Sequence, residues 1–119
     1  METREIAQKL VDYCRKSDWH GAHKELYAQN AKSIEPYETP NFAKEISGLK
    51  AIEEKGKKFD GMVEKMHTIE VSDPLVAGNT IAFKMEMDAT MKDGQRMNMP
   101  ELCVYHVKDG KIISEEFFV

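Results

Sequence analysis

The sequence predicts an α+β domain, with helices gathered in its first half and an antiparallel sheet in its second. Three observations carry that expectation. Up to about residue 65, apolar residues recur at steps of three and four, the period of a helix with one buried face. Beyond that, AGNT at 77–80, KDGQ at 92–95 and KDGK at 108–111 cut the chain into strand-length pieces, and two of these turn signals are Asp-Gly. Between the first two turns the residues alternate. Ile81, Phe83, Met85, Met87, Ala89 and Met91 take one face, and Thr80, Lys84, Glu86, Asp88 and Thr90 the other. The expected order is α-α-β-α-β-β-β-β.

Each element has its own signal. Thr3 is placed to cap a first helix whose buried stripe is Ile6, Leu10 and Tyr13 or Cys14. Asp18 caps a second, short helix with the stripe Trp19, Ala22, Leu26 and Tyr27, and the short link makes the two a tight pair. Ser33 and Ile34 form a short strand, which Pro36 ends. Pro36 also biases Glu35 towards extended backbone. A loop containing Pro40 leads to a third helix, from about Ser47 to Lys65, with the stripe Leu49, Ile52, Gly56, Phe59 and Val63. A glycine inside a helix costs about 1 kcal/mol relative to alanine, which a close approach to the sheet at Gly56 would explain. The four strands are expected in 67–76, 80–91, 96–107 and 111–119. In the third of these, Leu102, Val104 and His106 share one face, and Glu101, Cys103, Tyr105 and Val107 share the other. Apolar residues on both faces imply cover on both sides, by helices on one and by a second subunit on the other.

The bulk properties narrow the class. The chain has 119 residues, 41% hydrophobic and 32% charged, which fits one domain spanning 1–119 with enough apolar material for a core. A formal charge of -4 argues against nucleic acid as a partner, which would call for a basic face. The isolated Cys14 and Cys103 read as reduced core thiols, favouring a cytoplasmic location. No apolar leader follows the charged METREIAQ, and no run nears the roughly 20 apolar residues of a membrane span. No phosphate-binding glycine loop is present, and no cofactor is expected. His20 and His23 stand as H-x-x-H on the second helix, but zinc needs three or four converging ligands, so they read as exposed helix polars and no metal is expected.

Three segments together, DWHGAHKELYAQNAKSIEP, SGLKAIEEKGKKF and CVYHVKDGKIISEEFF, resemble the SnoaL-like group of the nuclear transport factor 2-like superfamily. The resemblance covers nearly the whole chain. It implies a cone: a strongly curved, mostly antiparallel sheet wrapped round three helices, leaving an apolar pocket open at one end. It also implies a small apolar or polyketide-like ligand, and a homodimer through the sheet face. Members include ketosteroid isomerase, scytalone dehydratase and polyketide cyclases, and others that are not catalysts.

Set against the isomerase, Glu35 falls at the general base, the acid just before proline. Two readings stay open for it, a solvated acid at a strand end or a carboxylate aimed into the pocket, where lost solvation would raise its basicity. The isomerase's oxyanion hole does not carry over, because its tyrosine corresponds to Leu10 and its aspartic acid to Cys103. Tyr13, one turn on, is a candidate to reach the pocket instead. Glu101 and Tyr105 share a strand face with Cys103 and are candidate catalytic groups, unless a bulge near Pro100 turns Glu101 to solvent. Glu115 and Glu116 must face opposite ways. The resemblance favours Glu115 and Phe117 inward, against a reading with both acids solvated. Trp19, Met99 and Cys103 are further candidates for the pocket wall. His67 is either a pocket acid/base group or a structural residue at a strand start, and His106 is placed at a dimer interface. The functional expectation is a cofactor-independent isomerase, dehydratase, cyclase or hydrolase with Glu35 as base. The alternatives are a non-catalytic dimeric binding module, or an interaction dimer whose pocket its own side chains fill.

Overall fold

The computed structural model describes residues 1–119. Helix α1 spans Thr3–Arg15 and α2 spans Trp19–Leu26, and strand β1, Tyr27–Ile34, follows α2 without a loop. A short β2, Glu45–Ser47, precedes α3, Leu49–Met62. Then come β3 (Val63–Val71), β4 (Leu75–Ala77), β5 (Thr80–Met91), β6 (Arg96–Lys108) and β7 (Lys111–Phe118). The seven strands form one sheet in the order β2-β1-β7-β6-β5-β3, with β4 paired to β5. All pairings are antiparallel except β1 with β7, where a helix-containing connection brings the strands together in parallel. The α+β class with three helices and a mostly antiparallel sheet is as the sequence predicts.

The details differ for local reasons. Glu2, not Thr3, is the N-cap of α1, and Thr3 is its first residue. The stripe of α1 buries Ile6, Ala7, Leu10, Val11 and Cys14. Asp18 does cap α2, accepting from the backbone N–H of Gly21 at 2.9 Å. Tyr27 begins β1 instead of ending α2, so β1 is eight residues long and not two. β2 lay in the expected loop, and it pairs Lys32–Ile34 of β1. α3 starts after Gly48, whose φ of 98° suits glycine, and stops at Met62, because Val63 begins the pairing with β5. The strand expected at 67–76 is two strands, broken around Pro74, which has no N–H for a ladder.

The core fills the concave side of the sheet. Ile81, Phe83, Met85, Met87, Ala89 and Met91 of β5 are all buried, as are Cys103, Tyr105 and Val107 of β6. The opposite face of β6 is open, and Leu102 is 56% exposed. The helices do not all press on this core equally. α1 contributes five buried residues, α3 only Ile52. Gly56 does not mark a close approach to the sheet: a Cβ there would meet His23 Cε1 of α2 at 3.6 Å, an ordinary contact. α3 packs on β1 and β2 at one edge of the sheet, and the space between it and β5 and β6 is the cavity. No helix is long and apolar enough to cross a membrane.

Candidate active site

The cavity has a volume of about 980 Å³ and opens between α3, the 35–42 loop and the ends of β5 and β6. Its wall is predominantly apolar, including Trp19, Phe42, Phe59, Met87, Met99 and Phe117. Four carboxyls line it, Glu35, Asp93, Glu101 and Glu115, and the three glutamates define the site. Each has a different set of partners.

Glu35 follows the last residue of β1, and its N–H donates to the carbonyl of Lys44 at 2.6 Å. Pro36 fixes the chain direction beyond it. Its carboxylate meets Lys55 Nζ of α3 at 2.5 Å, and the two side chains are only 22% and 16% exposed. Lys55 also donates to Ser33 Oγ at 2.8 Å. Its ammonium lies 5.5 Å from the centre of the Phe117 ring, within cation–π range.

Glu115 sits deeper and is buried. It accepts from Ser33 Oγ at 2.6 Å and from the hydroxyl of the buried Tyr27. Burial first, and the Glu115 charge second, hold the Tyr27 phenol well above its usual range. A continuous run of hydrogen bonds therefore links Tyr27, Glu115, Ser33, Lys55 and Glu35.

Glu101 lies in the regular part of β6, opposite Met85 of β5, with no bulge at Pro100. Its hydrogen-bond partner is a weak one, the Cys103 thiol at 3.7 Å. Burial pushes its pKa up to about 7, and the Glu35 charge adds to the rise, against an opposing contribution from the thiol. The same burial drives Cys14 up to about 12, so it is no nucleophile at neutral pH.

The other expected site residues divide. Tyr105 lines the cavity from β6, with its ring stacked on Phe83 at 5.4 Å between centroids. Trp19, Met99, Glu115 and Phe117 line it too, and the Trp19 indole N–H donates to Asp60 at 3.1 Å. Glu116 pairs with Val104, whose side of β6 faces away from the helices. Tyr13 does not reach the cavity, because its hydroxyl donates to Glu25 of α2 at 2.5 Å and ties the two helices together. Cys103 is fully buried behind the wall, not part of it. His67 is outside as well. A register shift between Met66 and Thr68 leaves it on the outer face of the sheet, where Nε2 meets Thr90 Oγ1 at 2.6 Å.

Sequence reasoning missed Lys55, Ser33 and Tyr27 as site residues. Lys55 carried a signal, since it stands three residues after the buried Ile52 and so on the same helix face. His23 was also misread. It is buried and lines the cavity, in edge contact with Tyr27. Its Nδ1 lies 3.4 Å from Glu53 without hydrogen-bond geometry, while the exposed His20 approaches the same carboxylate at 3.1 Å. His20, His23 and Glu53 do not converge as a cluster able to hold a metal.

A family model described as SnoaL-like domain matches residues 1–119. No curated protein matches the chain in sequence. Among solved structures, one provisionally named a SnoaL-like polyketide cyclase, from Mesorhizobium loti, is 30% identical, with a TM-score of 0.91 and all of both chains covered. A protein of unknown function with a cystatin-like fold, from Xanthomonas campestris, is 18% identical with a TM-score of 0.83, over 99% of this chain and 90% of that one. TerC, co-crystallised with polyporic acid, is 13% identical with a TM-score of 0.77, over 98% and 91%. At such identities these last two likenesses show the fold alone.

Proposed function

We propose that this chain, which belongs to the SnoaL-like domain family, takes a small apolar or polyketide-like molecule into its cone and moves a proton on it without a cofactor. The observation that carries this reading is the unequal pair of carboxyls in one apolar wall. Glu35 is a carboxylate matched by an ammonium at 2.5 Å, and Glu101, with only a thiol beside it, titrates near neutrality. One acid that accepts a proton and one that holds a proton are what enolisation of a carbonyl compound requires. Glu35 removes the proton next to the carbonyl, and Glu101 hydrogen-bonds the carbonyl oxygen from its protonated state. Return of the proton to another carbon gives isomerisation, and departure of a β-hydroxyl gives dehydration. Tyr105 shapes the floor of the same wall.

The ion pair of Lys55 also supports a second reading, a binding module without turnover, because the Glu35 carboxylate is already engaged by an ammonium. Under either reading the protein is a dimer through the outer sheet face, where Leu102 is 56% and Phe118 45% exposed.

Proton exchange separates the two. Apolar β,γ-enones and aryl β-diketones are incubated with the protein in D₂O, and deuteration of the α-carbon is followed by NMR. Catalysis predicts exchange above the buffer rate that falls about 100-fold or more in Glu35→Gln, with ligand affinity retained. Binding with no exchange in the wild type refutes catalysis and leaves the binding module.

A further inference from the structure

We infer that Lys55 is a catalytic residue of this cavity, the cation that takes the oxygen of the substrate as that oxygen becomes negative. The inference rests on the proton-transfer reading above and supplies what that reading lacks. At the positions where the related isomerase places oxyanion donors, this chain has Leu10, an apolar wall residue, and Cys103, which is buried behind the wall. Glu101 offers one neutral donor. The cation paired with Glu35 is Lys55, on the same cavity wall.

The local geometry fits the task. An ammonium has three N–H donors. Glu35 takes one at 2.5 Å and Ser33 takes a second at 2.8 Å. The third is left for a ligand, because Lys55 lines the cavity. Its aim is fixed from behind. Ser33 accepts from Lys55 and spends its own proton on Glu115, which Tyr27 holds from the other side. Such prior orientation is what makes a donor effective when charge develops in a site shielded from water.

The charges also stay matched through the step. A C–H bond next to the carbonyl breaks, and its proton bonds to Glu35. The C–H electron pair becomes the C=C of the enolate, and the carbonyl π pair moves onto oxygen. Glu35 turns neutral as the oxygen turns negative, so Lys55 exchanges one anionic partner for another and no net charge appears. Proton return from Glu35 to carbon restores the starting pair. In the resting site Glu35 already supplies the anion that this ammonium matches. A ligand that arrives already ionised would therefore bind poorly while Glu35 is charged, and the substrate class is a neutral, enolisable carbonyl compound.

The test uses 2-nitro-4-phenylphenol, an apolar enol analogue whose anion is coloured, so its bound ionisation is read by absorbance. Glu35→Gln stands for the state after proton transfer. In Glu35→Gln the bound probe should ionise at least one pH unit lower than in water, a tenfold preference for the anion. Adding Lys55→Met removes both members of the ion pair and should abolish that preference, lowering the anion-to-neutral affinity ratio at least tenfold. An unchanged ratio in the double variant, or no uptake of the probe by Glu35→Gln, overturns the inference. If the double variant does not fold, Glu35→Gln with Ser33→Ala decides. Loss of the Ser33 tether should lower the same ratio about threefold, and no change sinks the idea. Exchange lost in Glu35→Gln without a Lys55-dependent probe shift would keep the proposed function and discard this role. A Lys55-dependent shift in a protein that exchanges nothing would discard both, leaving Lys55 an anion-binding group of a site without turnover.

Discussion

Glu101 gives the most direct physical prediction, because its environment sets both stability and chemistry. Its pKa rises from an ordinary 4.5 to about 7, mainly through burial and then through the Glu35 charge. The native state therefore holds this proton more tightly than the unfolded chain does. Between those two values the folded protein binds more protons, and stability falls as pH rises. The stabilising contribution is complete below about pH 4.5 and is lost as pH passes through about 7. The gap corresponds to about 3 kcal/mol, at 1.36 kcal/mol for each tenfold change in proton affinity. Glu101→Gln cannot ionise. Against the wild type it should gain about 3 kcal/mol between pH 4 and pH 8.5, measured by urea unfolding across that range. Subtracting the two curves removes the titrations common to both proteins. A difference that stays flat with pH would show that Glu101 is solvated, and the acid–base pairing proposed for the cavity would fall with it. The same group predicts an alkaline limb near pH 7 in any proton exchange the wild type catalyses, absent from Glu101→Gln.

Other variants probe the supports of the site. Tyr27→Phe takes one of two hydroxyl donors from the buried Glu115 and should cost about 1.5–3 kcal/mol in urea unfolding, with the cavity wall otherwise intact. Gly21→Ala would put a Cβ 2.5 Å from Asp18 Oδ2 and 2.6 Å from Tyr13 Cε1. It should disturb the α2 cap and cost about 1–2 kcal/mol, seen as a lower thermal midpoint. Leu102→Glu places a charge on the outer sheet face. Sedimentation should show a dimer becoming a monomer, while monomer stability stays within about 0.5 kcal/mol. A wild type that sediments as a monomer would refute the dimer.

The sheet was legible where two signals agreed. In β5 to β7, alternation and Asp-Gly turns point to the same boundaries, and the observed strands start and stop within a residue or two of them. The errors fall where one residue fits two patterns. Tyr27 continues the stripe of α2 and also opens β1, and Val63 continues the stripe of α3 and also opens β3. Local periodicity cannot choose between those roles, because the choice is made by cross-strand partners, Ile112 for Tyr27 and Met91 for Val63. The short β2 has no period to read. Its three residues are strand only because β1 lies beside them. His67 failed for a related reason. A register shift in the middle of a strand reverses which face a side chain takes, and no sequence signal marked it.

Strand parity put Glu101 on the face of Cys103 and Tyr105, and the family resemblance favoured Glu115 inward, but neither could assign the roles of these acids. Three glutamates in one wall have the same chemistry and differ only in what faces them. Glu115 has two hydroxyls, Glu35 has an ammonium, and Glu101 has a thiol, the weakest donor of the three. The cost of burial therefore falls most visibly on Glu101, which meets it by keeping its proton to about pH 7. Tyr27, Ser33 and Lys55 are what make the acids unequal, and they reach the site from the start of β1, its end and the middle of α3. The division into a base and an acid is a tertiary property. It arises where α3 packs beside the end of β1, so that Lys55 turns into the cavity and closes the ion pair with Glu35.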